Sequence, residues 1–268
     1  MTQFRSSTLR YLSGPLSNSQ ILTTRGDRVW FASKAQVPLW NDDTTIMLWI
    51  LISLFFFWCA FREIRSSFVA PPGFDLPMPV TKPYLAFVLA LAVLFAWPTV
   101  HRWHFQHFLS EKATELADNH RAKVHCNTMF DTMLDSEMLA SGHANPRTGE
   151  IGIQKPWCGT LMSYLAHPGR ATELEVVSLD IFTHESMHVR GEMNEALTEC
   201  EAVQRNYRAA KLLGVPDAIA KRNALDYYNI SYQQRGKIGG MQGAYYSDQC
   251  APGKAMDEHL SDSTWATP

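Results

Sequence analysis

The chain has no basic cluster, no G-x-x-x-x-G-K-[ST] loop and no C-x-x-C pair. With its basic residues scattered and a net charge of −2, it carries no electrostatic footprint for nucleic acid. Without a phosphate-binding loop, it does not fit the ATP-driven membrane proteases. Without C-x-x-C spacing, a cysteine-based zinc cluster is disfavoured. The apolar runs do not read as cleaved signal peptides. The first starts only at Thr44, and Asp42 and Asp43 precede it where a basic region belongs.

Charge is missing altogether from two windows. Thr44–Phe61 and Pro83–Val100 are each eighteen residues without Asp, Glu, Lys or Arg. At about 1.5 Å per residue, a helix of that length spans roughly 27 Å, enough for the hydrocarbon core of a bilayer. Both runs are apolar on every face, which suits lipid better than a protein core. Trp40, Trp58, Trp97 and Trp103 sit near the ends, as interfacial aromatics do. We therefore expect transmembrane helices at 44–61 and 83–100, after a polar tail at 1–43 without fold-forming periodicity. The connector between them carries Arg62, Arg65 and Lys82. The positive-inside rule then places it in the cytoplasm and residues 101–268 outside, with the lipid bilayer as first partner.

Cysteine usage points the same way. Cys59 lies in the first run, whereas Cys126, Cys158, Cys200 and Cys250 all follow the second. An even number in one domain suggests two disulfides and an oxidising compartment, with three pairings open. His101, His104 and His107 read as an interfacial helix leaving the membrane rather than as a metal site. Partial apolar stripes predict a helix over Phe108–Leu139. Ser141–Gly149 reads as a turn-rich loop, and Glu150–Gln154 alternates like a short strand.

The chemistry is concentrated between Thr172 and Glu201. His184-Glu185-Ser186-Met187-His188 is an H-E-x-x-H motif. On a helix, residues four apart share a face, so both imidazoles can reach one metal ion and Glu185 can act as general base. Zinc is the usual metal for such a site, and it needs a third protein ligand. Chance alone yields the motif in about two such chains per hundred, so context matters. Thr172-x-x-Glu175 is a capping box and Gly191 a helix stop, which frame a helix with Leu174, Val177, Ile181, His184 and His188 along a stripe. The glutamates after His188 are Glu192, Glu195, Glu199, Glu201 and Glu258. Asn194 is a natural N-cap, with Glu195 and Glu199 one turn apart behind it. One of these carboxylates can bind the metal while the other accepts a ligand histidine's N–H. A further helix is expected from Asp217 to Tyr232. Gly236, Gly239, Gly240 and Gly243 read as a flexible loop after it.

This stretch resembles the zincin metallopeptidases, and Asn194-Glu195-x-x-x-Glu199 resembles the gluzincin run N-E-x-x-x-D/E. The resemblance implies His184, His188 and Glu195 as zinc ligands, Glu185 as general base and Glu199 as the carboxylate behind a ligand histidine. Glu195 follows His188 more closely than gluzincin ligands do, and the metzincin register would put Asn194 in the third position. The pattern H-E-x-x-H-x-x-G-x-x-x-E-A-x-x-E-C is also similar to that of a group of actinobacterial membrane proteins. Zincins set an edge strand above the metal helix, where peptides add as an extra strand, and Glu150–Gln154 is the candidate for it. They also often use a Tyr or His to stabilise the oxyanion, so Tyr245, Tyr246 and His259 are candidates by type.

The expected architecture is mainly α: two N-terminal transmembrane helices, then a small, mostly helical zincin-like domain at 101–268 with a short β-hairpin. The expected activity is zinc-dependent hydrolysis of a peptide or protein substrate. The competing reading is a non-catalytic membrane protein whose metal-binding or disulfide-stabilised module recognises a partner.

Overall fold

The computed structural model describes residues 43–69, 79–134 and 140–266, so the polar tail lies outside the described residues up to 42. Two helices open the described chain, α1 (Asp43–Ser66) and α2 (Lys82–Leu116), and both are long and apolar enough to cross a membrane. They pack against each other along one side. Ser53 donates a buried hydrogen bond to the Ala92 carbonyl (2.9 Å), and Trp49 and Phe56 lie on Phe95. Their other faces are apolar and more than half exposed at Leu51, Phe55, Trp58, Phe87, Val93 and Leu94.

α2 does not end where its apolar run ends. Its 35 residues extend about 52 Å at 1.5 Å per residue, through His101, His104 and His107 and into the domain core. There Leu109, Ala113 and Leu116 are fully buried. The helix stops at Leu116 because Asp118 and Asn119 turn the chain with φ of 53° and 68°. Asp and Asn adopt this left-handed conformation more readily than other side chains. The expected helix over Phe108–Leu139 is therefore wrong. β1 (Lys123–Cys126) interrupts it, with alternating exposed and buried residues, and a short α3 (Met129–Leu134) follows among the described residues.

Among the described residues, β1, β2 (Gly142–Asn145) and β3 (Glu150–Ile153) form one sheet in the order β1-β3-β2. β3 pairs in parallel with β1 and antiparallel with β2. The strand expected at Glu150–Gln154 exists, but it is the central strand. Ile151, Gly152 and Ile153 are buried because neighbours flank it on both sides. The edge strand is β2, within the stretch expected to be a loop. The opposite edge is sealed by α2. Cys126, Val124 and Ala122 donate their N–H groups to Gln106 (3.2 Å), Ser110 (2.8 Å) and Thr114 (2.9 Å). Arg102 donates to the Cys126 carbonyl (2.5 Å). Side chains of a helix thus replace the missing strand.

α4 (Trp157–Ala166) packs with the sheet against α5 (Glu173–Arg190). α6 (Glu195–Leu212), α7 (Asp217–Asp226), α8 (Gln233–Ile238) and α9 (Gly240–Gly243) complete the domain. The expected helix over Asp217–Tyr232 forms, but from Tyr227 to Tyr232 it widens into a π-helical turn. Helix then continues through Gly236, which was expected in a loop, up to Gly239 at φ 66°. Of the three possible pairings, the cysteines adopt Cys126–Cys158 and Cys200–Cys250, at Cα separations of 5.6 and 5.5 Å. The first pair ties β1 to α4, and the second ties α6 to the segment after Tyr245.

Candidate metal centre

α5 is fixed at both ends by its own sequence. Thr172 accepts the Glu175 N–H (3.3 Å), while Glu175 accepts that of Thr172 (2.7 Å). At the other end Gly191, at φ 119°, closes the helix by donating to Met187 and His188 carbonyls. Leu174 of the expected stripe is 60% exposed, because the helix is buried on nearly every side from Ser178 to Met187 and Leu174 precedes that stretch. The turn at Gly191 brings in α6, whose first residue is Glu195. Asn194 caps it by accepting the Leu197 N–H (3.0 Å).

His184, His188 and Glu195 come together between the two helices. Nε2 of His184 lies 3.1 Å from Nε2 of His188 and 3.2 Å from a Glu195 carboxylate oxygen, which is itself 3.5 Å from His188 Nε2. The other ring nitrogens are committed elsewhere. His184 Nδ1 faces Glu199 (2.9 Å), and His188 Nδ1 faces the Glu192 carbonyl (2.8 Å). Both partners are acceptors, so each Nδ1 carries its proton and each Nε2 is the nitrogen left to face a metal. Two ring nitrogens and a carboxylate oxygen thus converge in one triangle. A tetrahedral zinc with arms of about 2.0–2.1 Å sets its ligand atoms roughly 3.3 Å apart, which the triangle matches. Among the described residues these three form a group able to hold a metal ion.

The electrostatics agree with a place for positive charge. Burial opposes a charge on His184, but hydrogen bonds to Glu195 and Glu199 outweigh it and raise its pKa to about 10. Burial and the neighbouring His184 lower that of His188. The hydrogen bond from His184 lowers that of Glu195. Beyond the proton on each Nδ1, the two Nε2 atoms thus share one further proton, with which a metal ion competes.

Glu185 packs against the sheet edge. It is 5% exposed, and a Cβ built on Gly142 of β2 would stand 2.9 Å from its Oε1. A methyl at this position would press on the carboxylate and make it shift. Of the three residues suggested by type, Tyr245 is at the site, its ring centroid 5.7 Å from that of His184. Tyr246 packs instead on Tyr232, and His259 is exposed beside Asp257.

Sequence reasoning missed the support behind Glu199. This carboxylate is buried and accepts from Tyr227 (2.8 Å) and Arg235 (2.7 Å) as well as from His184. The Tyr227 hydroxyl also lies against the buried Asp180, so its one proton is shared between the two carboxylates, and Asp180 also accepts from Asn206 (2.7 Å). Despite burial, Arg235 and His184 hold the Glu199 pKa down to about 2. Burial and the Glu199 charge raise that of Asp180 to about 7. Arg235 also lies 5.7 Å over the Tyr245 ring. Asp180 had one visible signal, its place a single turn before His184 on the same face. Comparison with protein-family models, curated proteins and solved structures found no match.

Proposed function

We propose that the chain is a membrane-anchored, zinc-dependent peptidase of zincin type, with His184, His188 and Glu195 holding the metal. The observation that carries this reading is the convergence of two Nε2 atoms and a carboxylate at zinc-ligand spacing, with Glu185 adjoining in sequence. A bound zinc supplies Lewis acidity, which makes water a usable nucleophile near neutral pH and polarises a carbonyl. Glu185 takes a proton from the attacking water and passes it to the amine nitrogen as the C–N bond breaks. Tyr245 is the hydroxyl available to the developing oxyanion. Glu199 keeps the proton of His184 on Nδ1.

The substrate backbone has a place beside Glu185. Gln154 donates to the Ser141 carbonyl (3.0 Å), which sets the antiparallel alternation. His143 and Asn145 then direct their N–H and C=O groups to β3, whereas those of Gly142 and Ala144 face the edge with which no described strand pairs. A peptide adds there as a fourth strand. The two apolar helices cross the bilayer with their connector in the cytoplasm. The domain lies outside, where its disulfides persist.

Peptide hydrolysis by the full chain in detergent tests this. Activity is expected to vanish on chelation and return with added zinc. Hydrolysis indifferent to chelators, or none with zinc bound, counts against the reading. Gly142→Ala is expected to lower the rate about 10- to 100-fold, because its methyl displaces the Glu185 carboxylate. Zinc content should stay unchanged, which atomic absorption checks; an unaffected rate would separate Gly142 from the chemistry.

A further inference from the structure

α2 serves as a ruler for the height of this site above the bilayer. Its apolar run ends at Val100, and the exposed Trp97 and Trp103 bracket that end as interfacial aromatics do. α1 gives the same level. Counting equal numbers of residues outward from the Ser53–Ala92 contact sets Thr44, where the first apolar run starts, level with His101.

From this boundary the sheet can be followed residue by residue. β1 runs back along α2, with Ala122 at Thr114, Val124 at Ser110, and Cys126 at Gln106 and Arg102. Cys126 is therefore the end nearest the apolar run. It pairs with Ile153, and Ile153 pairs with Gly142. Gly142 is the residue pressed against Glu185. The carboxylate thus sits at the level of residues 102–106, about 3–9 Å past Val100 along the helix axis. The turn after Asn145 lies at the far end of the sheet.

α2 carries this height into the domain. It is helical from its apolar run into the core, where Leu109, Ala113 and Leu116 are fully buried, with Pro98 inside it just before the end of that run. A proline there removes one helical hydrogen bond and is a place for a bend, but no non-helical residue separates the span from the domain.

We propose that the site acts on peptide segments at the bilayer surface, the juxtamembrane stretches of membrane-anchored proteins. This rests on the peptidase reading above. An extended chain advances about 3.3 Å per residue, so the first few residues past a membrane span reach the Glu185 level and the open edge of β2.

The test reconstitutes the full chain, zinc-loaded, in phosphatidylcholine vesicles. It is given a single-span reporter followed by about thirty residues of randomised sequence, roughly 100 Å when extended. Mass spectrometry reads the cut positions. Cuts are expected within about ten residues of the span, and the same pool lacking its span should be cut at least about tenfold more slowly. Cuts confined beyond about fifteen residues, or equal cutting of the free pool, would overturn the proposal while leaving the peptidase intact. No cutting of either pool removes the peptidase reading and this substrate with it.

Height is also read without catalysis, with nitroxides on Ala140→Cys and Arg147→Cys in a Cys59→Ala background. Both positions are exposed and bracket β2. Nickel-chelating lipid headgroups should relax the label at 140 more strongly than that at 147. Equal or reversed relaxation would overturn the geometry.

Discussion

Glu185→Gln is expected to lower kcat by about 10²–10⁴-fold while KM and zinc content stay unchanged. The substitution keeps the shape of a side chain that is only 5% exposed and wedged against Gly142. It removes the one property the chemistry needs, a carboxylate able to take and return a proton. Glu185 is not among the converging ligand atoms, so the metal stays. A loss in kcat alone is the sign of an interaction made in the transition state. The measurement is steady-state hydrolysis of a fluorogenic peptide alongside zinc quantitation. A rate within about threefold of wild type would exclude Glu185 as general base. A protein that kept its biological activity with this substitution would be a binding module rather than an enzyme.

Arg235→Leu is expected to cost about 3–5 kcal/mol of domain stability and to weaken zinc binding about 10- to 100-fold. Arg235 is largely buried and faces Glu199 at 2.7 Å and Asp180 at 3.7 Å. Its removal takes away the guanidinium that faces both buried carboxylates, leaving Glu199 with His184 and Asp180 with no cation, and desolvation then acts against them. The zinc effect follows through contact. Glu199 fixes the His184 ring and its tautomer, and a displaced Glu199 leaves that ring free to turn. Asp180→Asn in the same chain removes one of the stranded charges and should restore more than half of the lost stability. Denaturant unfolding of the single and double variants, with disulfides intact, gives both numbers. A loss below about 1 kcal/mol for Arg235→Leu would contradict the charge balance described for this network.

α5 and α6 were legible because their signals are local. Thr172 and Glu175 cap each other three residues apart, Gly191 ends the helix in a left-handed turn, and Asn194 starts the next. These features bring Glu195 and Glu199 to the histidines with no help from distant residues. The edge strand was not legible. Gly142-His143-Ala144-Asn145 has no strand pattern of its own and is extended because it pairs with β3. Tyr227 and Arg235 were hidden for a different reason. They lie eight positions apart, and their bond spans the π-helical turn, whose extra residue per turn alters which residues share a face. The end of α2 was missed because apolar residues on both sides of Asp118-Asn119 mimicked one helical stripe.

The central claim is the identity of the three ligands. Its most direct test is the zinc content of the purified full chain for wild type, His188→Ala and Glu195→Ala, with folding checked by circular dichroism. The account predicts one zinc per wild-type chain, lost in both variants. A folded wild type that binds none when zinc is supplied, or a Glu195→Ala chain that keeps its full complement, would contradict it.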